Sequence, residues 1–120
     1  MKILIDTNFL LIWKKFKVDI FEEIRRICDF NYDLYVLDRT IYELNKVKMP
    51  GYKVALGLLE KHNVGVIKTK GQDKFVDDMI LDNLDKDTIL ATLDVNLKRR
   101  AKQKANRIIT LRKGQHLVIE

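Results

Sequence analysis

Five short apolar runs recur along the chain: KILI (2–5), LYVL (34–37), VGVIK (64–68), TILATL (88–93) and RIITL (107–111). Each is apolar on both faces, which suits strands buried in a parallel sheet rather than half-solvated ones. Parallel strands need long crossovers, usually helices, and the intervals carry helical spacing. Ile20, Phe21, Ile24, Ile27 and Cys28 form one stripe. Ile41, Leu44 and Val47 form a second, with Asp38 or Thr40 as its N-cap. Val54, Leu56, Leu58 and Leu59 belong to a third helix after Pro50-Gly51. Phe75, Val76, Met79, Ile80 and Leu84 belong to a fourth, and Leu97, Ala101 and Ala105 line a fifth. The alternation predicts an α/β sandwich around a parallel sheet. The tail HLVIE (116–120) offers a short edge strand after a Lys113-Gly114 turn.

With 120 residues the chain is the size of one domain, 1–120, with a modest core. It has no repeat, linker or low-complexity segment. No apolar run nears the roughly 20 residues that cross a bilayer, so no membrane is expected. MKILIDTN lacks the long apolar region of a signal peptide. The lone Cys28 allows no internal disulfide and reads as core. A reducing, cytoplasmic setting follows as the expectation.

The net charge of +6 is unevenly placed. Acids and bases cancel over residues 1–90, and the whole excess lies in 91–120, densest in LKRRAKQK (97–104). Such a block beside an acidic site suggests a polyanion held by its phosphates. A solvated helix face would produce the same run.

Four acids occupy settings that turn them toward one place: Asp6 in ILIDTN, Glu43 in TIYELNK, Asp77 in FVDDMI and Asp94 in ATLDVNL. Asp6 and Asp94 follow apolar runs, and α/β sheets form ligand sites beyond the carboxyl ends of their strands. Should strands one and four be neighbours across a topological switch point, the two carboxylates face one another. Asp6 could equally cap a helix starting near Asn8. Glu43 sits in an apolar stripe, where a charge needs a partner or a cation; a surface pair with Lys46 is the bland alternative. Asp77 and Asp78 point about 100° apart on a helix, so only one can face the site fully. Asp73, Asp85 and Asp87 are weaker candidates. An oxygen-only, thiolate-free set suits Mg²⁺ or Mn²⁺ rather than zinc. His62 and His116 have no metal-ligand spacing, and no phosphate-binding glycine loop is present.

These elements in this order resemble the PIN-domain nucleases over essentially the full length. The matching segments are ILIDTNFLL, the lone Glu of TIYELNKV, FVDDMI and the T-x-D of Thr92-Leu93-Asp94. The resemblance implies a Rossmann-like three-layer α/β/α sandwich with a central, mainly parallel five-stranded sheet. It also implies a Mg²⁺- or Mn²⁺-dependent endoribonuclease whose catalytic and metal-holding acids are Asp6, Glu43, Asp77 and Asp94. The family's third acid stands three residues before an aliphatic one, which is Ile80 here, so Asp77 is preferred to Asp78. Thr7, Asn8, Thr92 and Asn96 fall where the family places polar support, with Asp78 as an outer acid.

Two branches compete. One is the VapC-type toxins, which cleave tRNA or rRNA and are silenced by an antitoxin protein. The other is the rRNA-processing group of the small-subunit processome nuclease. TLDVNLKRRAK is similar to the second, as in a compact archaeal relative. Lys98, Arg99, Arg100 and Lys102 would then hold RNA phosphates. The resemblance also implies a homodimer, for which Trp13, Phe16 and Phe21 could supply a face. A catalytically silent RNA-binding or ribosome-assembly factor using the 97–104 face is the alternative. A phosphoacceptor signalling domain would share the sheet, but this chain has no paired acids after strand one and no Lys directly after strand five, RIITL.

Overall fold

The computed structural model describes residues 1–69, 75–104 and 106–120; Asp73 and Ala105 fall outside them. Among these residues, strands β1 (Lys2–Ile5), β2 (Asp33–Leu37), β3 (Gly65–Ile67), β4 (Thr88–Ala91), β5 (Ile108–Arg112) and β6 (His116–Ile119) form one sheet. Its order is β3-β2-β1-β4-β5-β6. Strands β1 to β5 pair in parallel, and β6 joins β5 antiparallel. The sheet therefore has six strands rather than five. The added strand is the tail HLVIE, turned back at Lys113 and Gly114. Both residues have positive φ, 55° and 63°, as a tight hairpin of right-twisting strands requires. A Cβ on Gly114 would also come within 3.0 Å of the Phe16 ring.

A short 3₁₀ turn (Thr7–Leu11) leads into α1 (Ile12–Phe16), and α2 (Ile20–Ile27), α3 (Asp38–Val47), α4 (Tyr52–Lys61), α5 (Val76–Asp82) and α6 (Val95–Gln103) follow. Alternation along the strands sorts them into two layers. Ile3, Ile5, Ile89 and Ala91 pack with Phe21 and Ile24 of α2, Leu44 of α3 and Ala55 and Leu59 of α4. Leu4, Leu90 and Ile108 pack on the other face, with Met79 and Ile80 of α5 and Leu97 and Ala101 of α6. The result is the three-layer α/β/α sandwich. Each fully buried Leu or Ile contributes about 1.5–3 kcal/mol, so both layers are held by their apolar stripes.

With both faces apolar, alternation alone would let a strand slip by one residue. The polar ends of the runs prevent it. A slip of β1 would draw Lys2 or Asp6 toward the middle of a sheet whose central positions are solvent-free.

Neither Asp38 nor Thr40 caps α3. The cap position is Leu37, which has no side chain able to do so. Asp38 instead accepts from the Thr69 amide and hydroxyl at 3.1 and 2.7 Å, tying the start of α3 to the chain beyond β3. Cys28 ends α2, half-buried against the first core layer. His62 stacks flat on Phe21 at 4.0 Å, so it serves packing. No helix among the described residues is long and apolar enough to cross a membrane.

Candidate active site

The chain leaves β1 toward β2 on one side and later returns to β4 on the other, so the carboxyl ends of β1 and β4 flank a topological switch point. Asp6 is the first residue after β1. Its amide donates to the Ala91 carbonyl of β4 at 2.9 Å, carrying the strand pairing one step past the helix-facing core. Asp6 is only 8% exposed. Its Oδ1 accepts from the Thr7 amide at 2.8 Å and its Oδ2 from the Thr92 hydroxyl at 2.8 Å. The first contact caps the 3₁₀ turn, so capping and facing the crevice are one conformation here.

Thr92 has no solvent exposure. Besides donating to Asp6, its Oγ1 accepts from the Asp94 amide at 3.1 Å. One buried hydroxyl thus sets Asp6 and Asp94 relative to each other. Asp94 is exposed and caps α6, its Oδ1 accepting from the Leu97 amide at 3.0 Å.

Glu43 is half-buried on α3. It makes no pair with Lys46, whose ammonium donates to the Tyr42 hydroxyl at 2.9 Å. One turn before it, the buried Thr40 hydroxyl meets that of Thr7 at 2.9 Å, which fastens α3 to the loop carrying Asp6. Sequence reasoning gave Thr40 a different role. Its position three residues before Glu43 was the available signal, since i and i+3 share a helix face. Asp77 stands in the first turn of α5 and is half-buried.

The electrostatics join the four acids. Burial pushes the Asp6 carboxyl up; its two hydrogen bonds oppose this, and repulsion from Asp77 and Asp94 adds to it. Burial likewise raises Glu43, with Asp6 and Asp77 reinforcing and Arg39 opposing. Asp77 is raised by burial and then by Asp94, with Arg100 opposing. Acids far apart in sequence therefore feel one another at a single sheet edge.

Not every supporting residue takes part. Thr7 and Thr92 engage Asp6 directly. Asp78 is held by Arg100 across a 2.7 Å ion pair between α5 and α6. Asn96 accepts from Arg99 at 3.3 Å on the exposed side of α6. Asn8 is exposed, with no contact to the acids among the described residues. Asp85 caps the turn before β4, accepting from the Asp87 amide and Thr88 hydroxyl, outside the site.

Next to Asp94, the outer face of α6 borders an open groove of about 540 Å³ lined by Val95, Lys98, Arg99, Lys102, Gln103 and Glu120. Lys98 reaches Thr110 at 3.2 Å and Lys102 reaches Glu120 at 3.5 Å. Another cavity, about 450 Å³, lies where β2 and β3 begin, between Tyr32, Asp33, His62 and Gly65. It is at the opposite end of the strands from the four acids.

A family model described as a PIN like domain matches residues 3–114. The chain belongs to the PIN-like domain family. A solved structure titled "Structure of the PIN domain endonuclease Utp24" is similar to it at TM-score 0.86 and 24% identity, covering 99% of this chain and 90% of that one. At that identity the likeness speaks for the fold. No curated protein matches significantly.

The PIN-like site has a donor set suited to a hard cation. It holds four carboxylates and no thiolate. Glu43 and Asp77 accept no hydrogen bond from a described residue, so their oxygens are free to turn inward. Among the described residues no group of three or more His, Cys, Asp or Glu is close enough to hold an ion as it stands. Carboxylates without a counter-charge repel. The residues fit a divalent ion by their chemistry, and the burial of Asp6 with the half-burial of Glu43 and Asp77 makes such a counter-charge favourable.

Proposed function

We propose that residues 1–120 act as one PIN-like nuclease domain that hydrolyses RNA phosphodiester bonds internally with the help of Mg²⁺ or Mn²⁺. The observation that carries this reading is the pairing of Asp6 and Asp94 through the buried Thr92 hydroxyl at the β1–β4 switch point, with Glu43 and Asp77 near enough for the carboxyls of Asp6, Glu43 and Asp77 to be raised by burial and by neighbouring acids. Such a site gains from a divalent ion. Bound there, the ion would polarise the scissile phosphate and ease ionisation of the attacking water. Asp6 would hold it from the rigid sheet edge, Asp94 from the α6 cap, and Glu43 and Asp77 from the helices of the two layers. The products would carry a 5′-phosphate and a 3′-hydroxyl.

Lys98, Arg99 and Lys102 border the groove that starts beside Asp94 and would hold flanking phosphates, giving affinity without sequence reading. Arg100 shares that duty with its ion pair to Asp78. An unpaired or looped RNA suits such a surface better than a duplex. Between the two branches we favour rRNA processing over the VapC-type toxin, because the basic run directly follows the last acid. The similar fold of a PIN domain endonuclease supports nuclease chemistry in either branch. A homodimer and an antitoxin partner rest on the family resemblance alone. Phe21 is 5% exposed and belongs to the core, which leaves half-buried Trp13 and Phe16 for a dimer face, and light scattering decides it. Cytoplasmic residence is proposed on the lone cysteine.

The test is cleavage of labelled RNA by purified protein. Mn²⁺-dependent cleavage that Asp6→Asn and Asp94→Asn abolish supports the proposal; variants that cleave as fast as the parent refute the site. One rival is a silent RNA-binding assembly factor that uses the basic 97–104 face. That protein would bind RNA equally in chelator and never cleave it.

A further inference from the structure

Positive charge along the sequence points only to α6, because acids and bases cancel over residues 1–90. The fold nevertheless builds a second cationic surface on α3. Arg39, Tyr42 and Lys46 are spaced by three and four residues and share one helix face. The Arg39 guanidinium lies 5.1 Å from the centre of the Tyr42 ring and the Lys46 ammonium 5.2 Å from it. Lys46 also donates to the Tyr42 hydroxyl. Two cations thereby fix the ring, yet it remains 48% exposed. Arg39 opposes the upward shift of the Glu43 carboxyl, which places its charge beside the acidic site. Its Nε is buried without a hydrogen-bond partner among the described residues. The rest of the guanidinium is partly exposed and offers further N–H donors in a fixed fork.

The position of this surface is telling. α3 follows β2 and α6 follows β4, and the order β2-β1-β4 puts them on opposite sides of Asp6. They also belong to opposite layers of the sandwich. Asp6 therefore lies between α6 and the Arg39–Tyr42–Lys46 face of α3, the helix that also carries Glu43. An acidic protein segment would use the two cations alone. An unpaired nucleotide uses cations and ring together, stacking its base and pairing its phosphates.

We propose that Arg39, Tyr42 and Lys46 form a second RNA-binding surface, which seats an unpaired nucleotide on the side of the acids opposite α6. This rests on the nuclease reading for its substrate. The strand then crosses the acidic edge, gripped on both flanks, with the bond to be cut between the grips.

Binding is measured by fluorescence anisotropy in chelator on an Asp94→Asn background, with an unstructured RNA of about 12 nucleotides, long enough to span both flanks. Tyr42→Ala is expected to weaken binding about 10-fold, the scale of one lost stacking contact. Tyr42→Phe keeps the ring and should bind like the parent. Arg39→Ala and Lys46→Ala should each lower the slope of log K against log salt by about 0.7. Circular dichroism melts confirm that each variant is folded, and Arg39→Gln replaces Arg39→Ala if it is not. Tyr42→Ala binding as tightly as the parent, while Lys98→Ala and Arg99→Ala bind weakly, overturns the proposal. Capture of an acidic peptide with RNA affinity unchanged overturns it too, in favour of a protein partner. If the unmutated chain never cleaves RNA with Mn²⁺ yet Tyr42→Ala loses RNA binding, the nuclease reading fails and this surface stands.

Discussion

Asp6 and Thr92 show how one residue can serve stability and chemistry in opposite senses. Burial raises the Asp6, Glu43 and Asp77 carboxyls above their ordinary 3.8, 4.5 and 3.8. Between the ordinary and the raised values the folded chain binds more protons than the unfolded one, so these groups lower stability as pH rises through that window. Above it their full cost is present unless a cation offsets it. Asp6→Asn should therefore raise Tm in chelator at pH 7, where the charged carboxyl bears its burial cost. The gain should vanish as pH falls to the ordinary carboxylate value, and calorimetry across pH checks it. Thr92→Val keeps the shape but strands Asp6 Oδ2 and the Asp94 amide, a loss of about 1–3 kcal/mol. Thr92→Ser loses only a methyl, about 1 kcal/mol. Mn²⁺ affinity by calorimetry should fall much further for Val than for Ser; equal losses would reduce Thr92 to packing.

At the scale of elements, Asp94 has two separable jobs, capping α6 and facing the site. Asn caps as well as Asp, whereas Ala costs about 0.5–2 kcal/mol. Asp94→Asn should keep the parent's urea midpoint while losing cleavage, and Asp94→Ala should lose both. A common midpoint for the two would dismiss the cap. The helices and strands themselves were legible, because runs such as KILI and TILATL are apolar on both faces and stripes such as Ile20–Phe21–Ile24 repeat at helical spacing. Capping of α3 was misread. Asp38 looks like a cap by residue type, but its carboxylate is claimed by Thr69, thirty-one residues away, a tertiary contact that local spacing cannot encode. Asp78 is a similar case: Arg100, on another helix and twenty-two residues away, holds it, which local spacing does not show.

For the molecule as a whole, the acids at strand ends could be found from the sequence, since KILI and TILATL announce where strands stop. Their meeting could not, because strand order is a matter of which runs pair. The α3 surface was hidden for another reason. Its two cations are cancelled along the sequence by Asp38 and Glu43 of the same helix, and only the fold shows Asp38 committed to Thr69. The same strand order has a consequence in time. β1 lies inside the sheet with β2 and β4 on its two sides, whereas α3 and α5 lie over it. Amides of β1 should exchange with deuterium only when the entire chain opens, while those of α5, a helix of seven residues, should exchange through smaller excursions. Asp6 would then be a fixed post and Asp77 a swinging one, assembled anew in each closed interval. Hydrogen-exchange mass spectrometry should show Mn²⁺ slowing α5 far more than β1; equal slowing would mean that the site opens and closes as one piece.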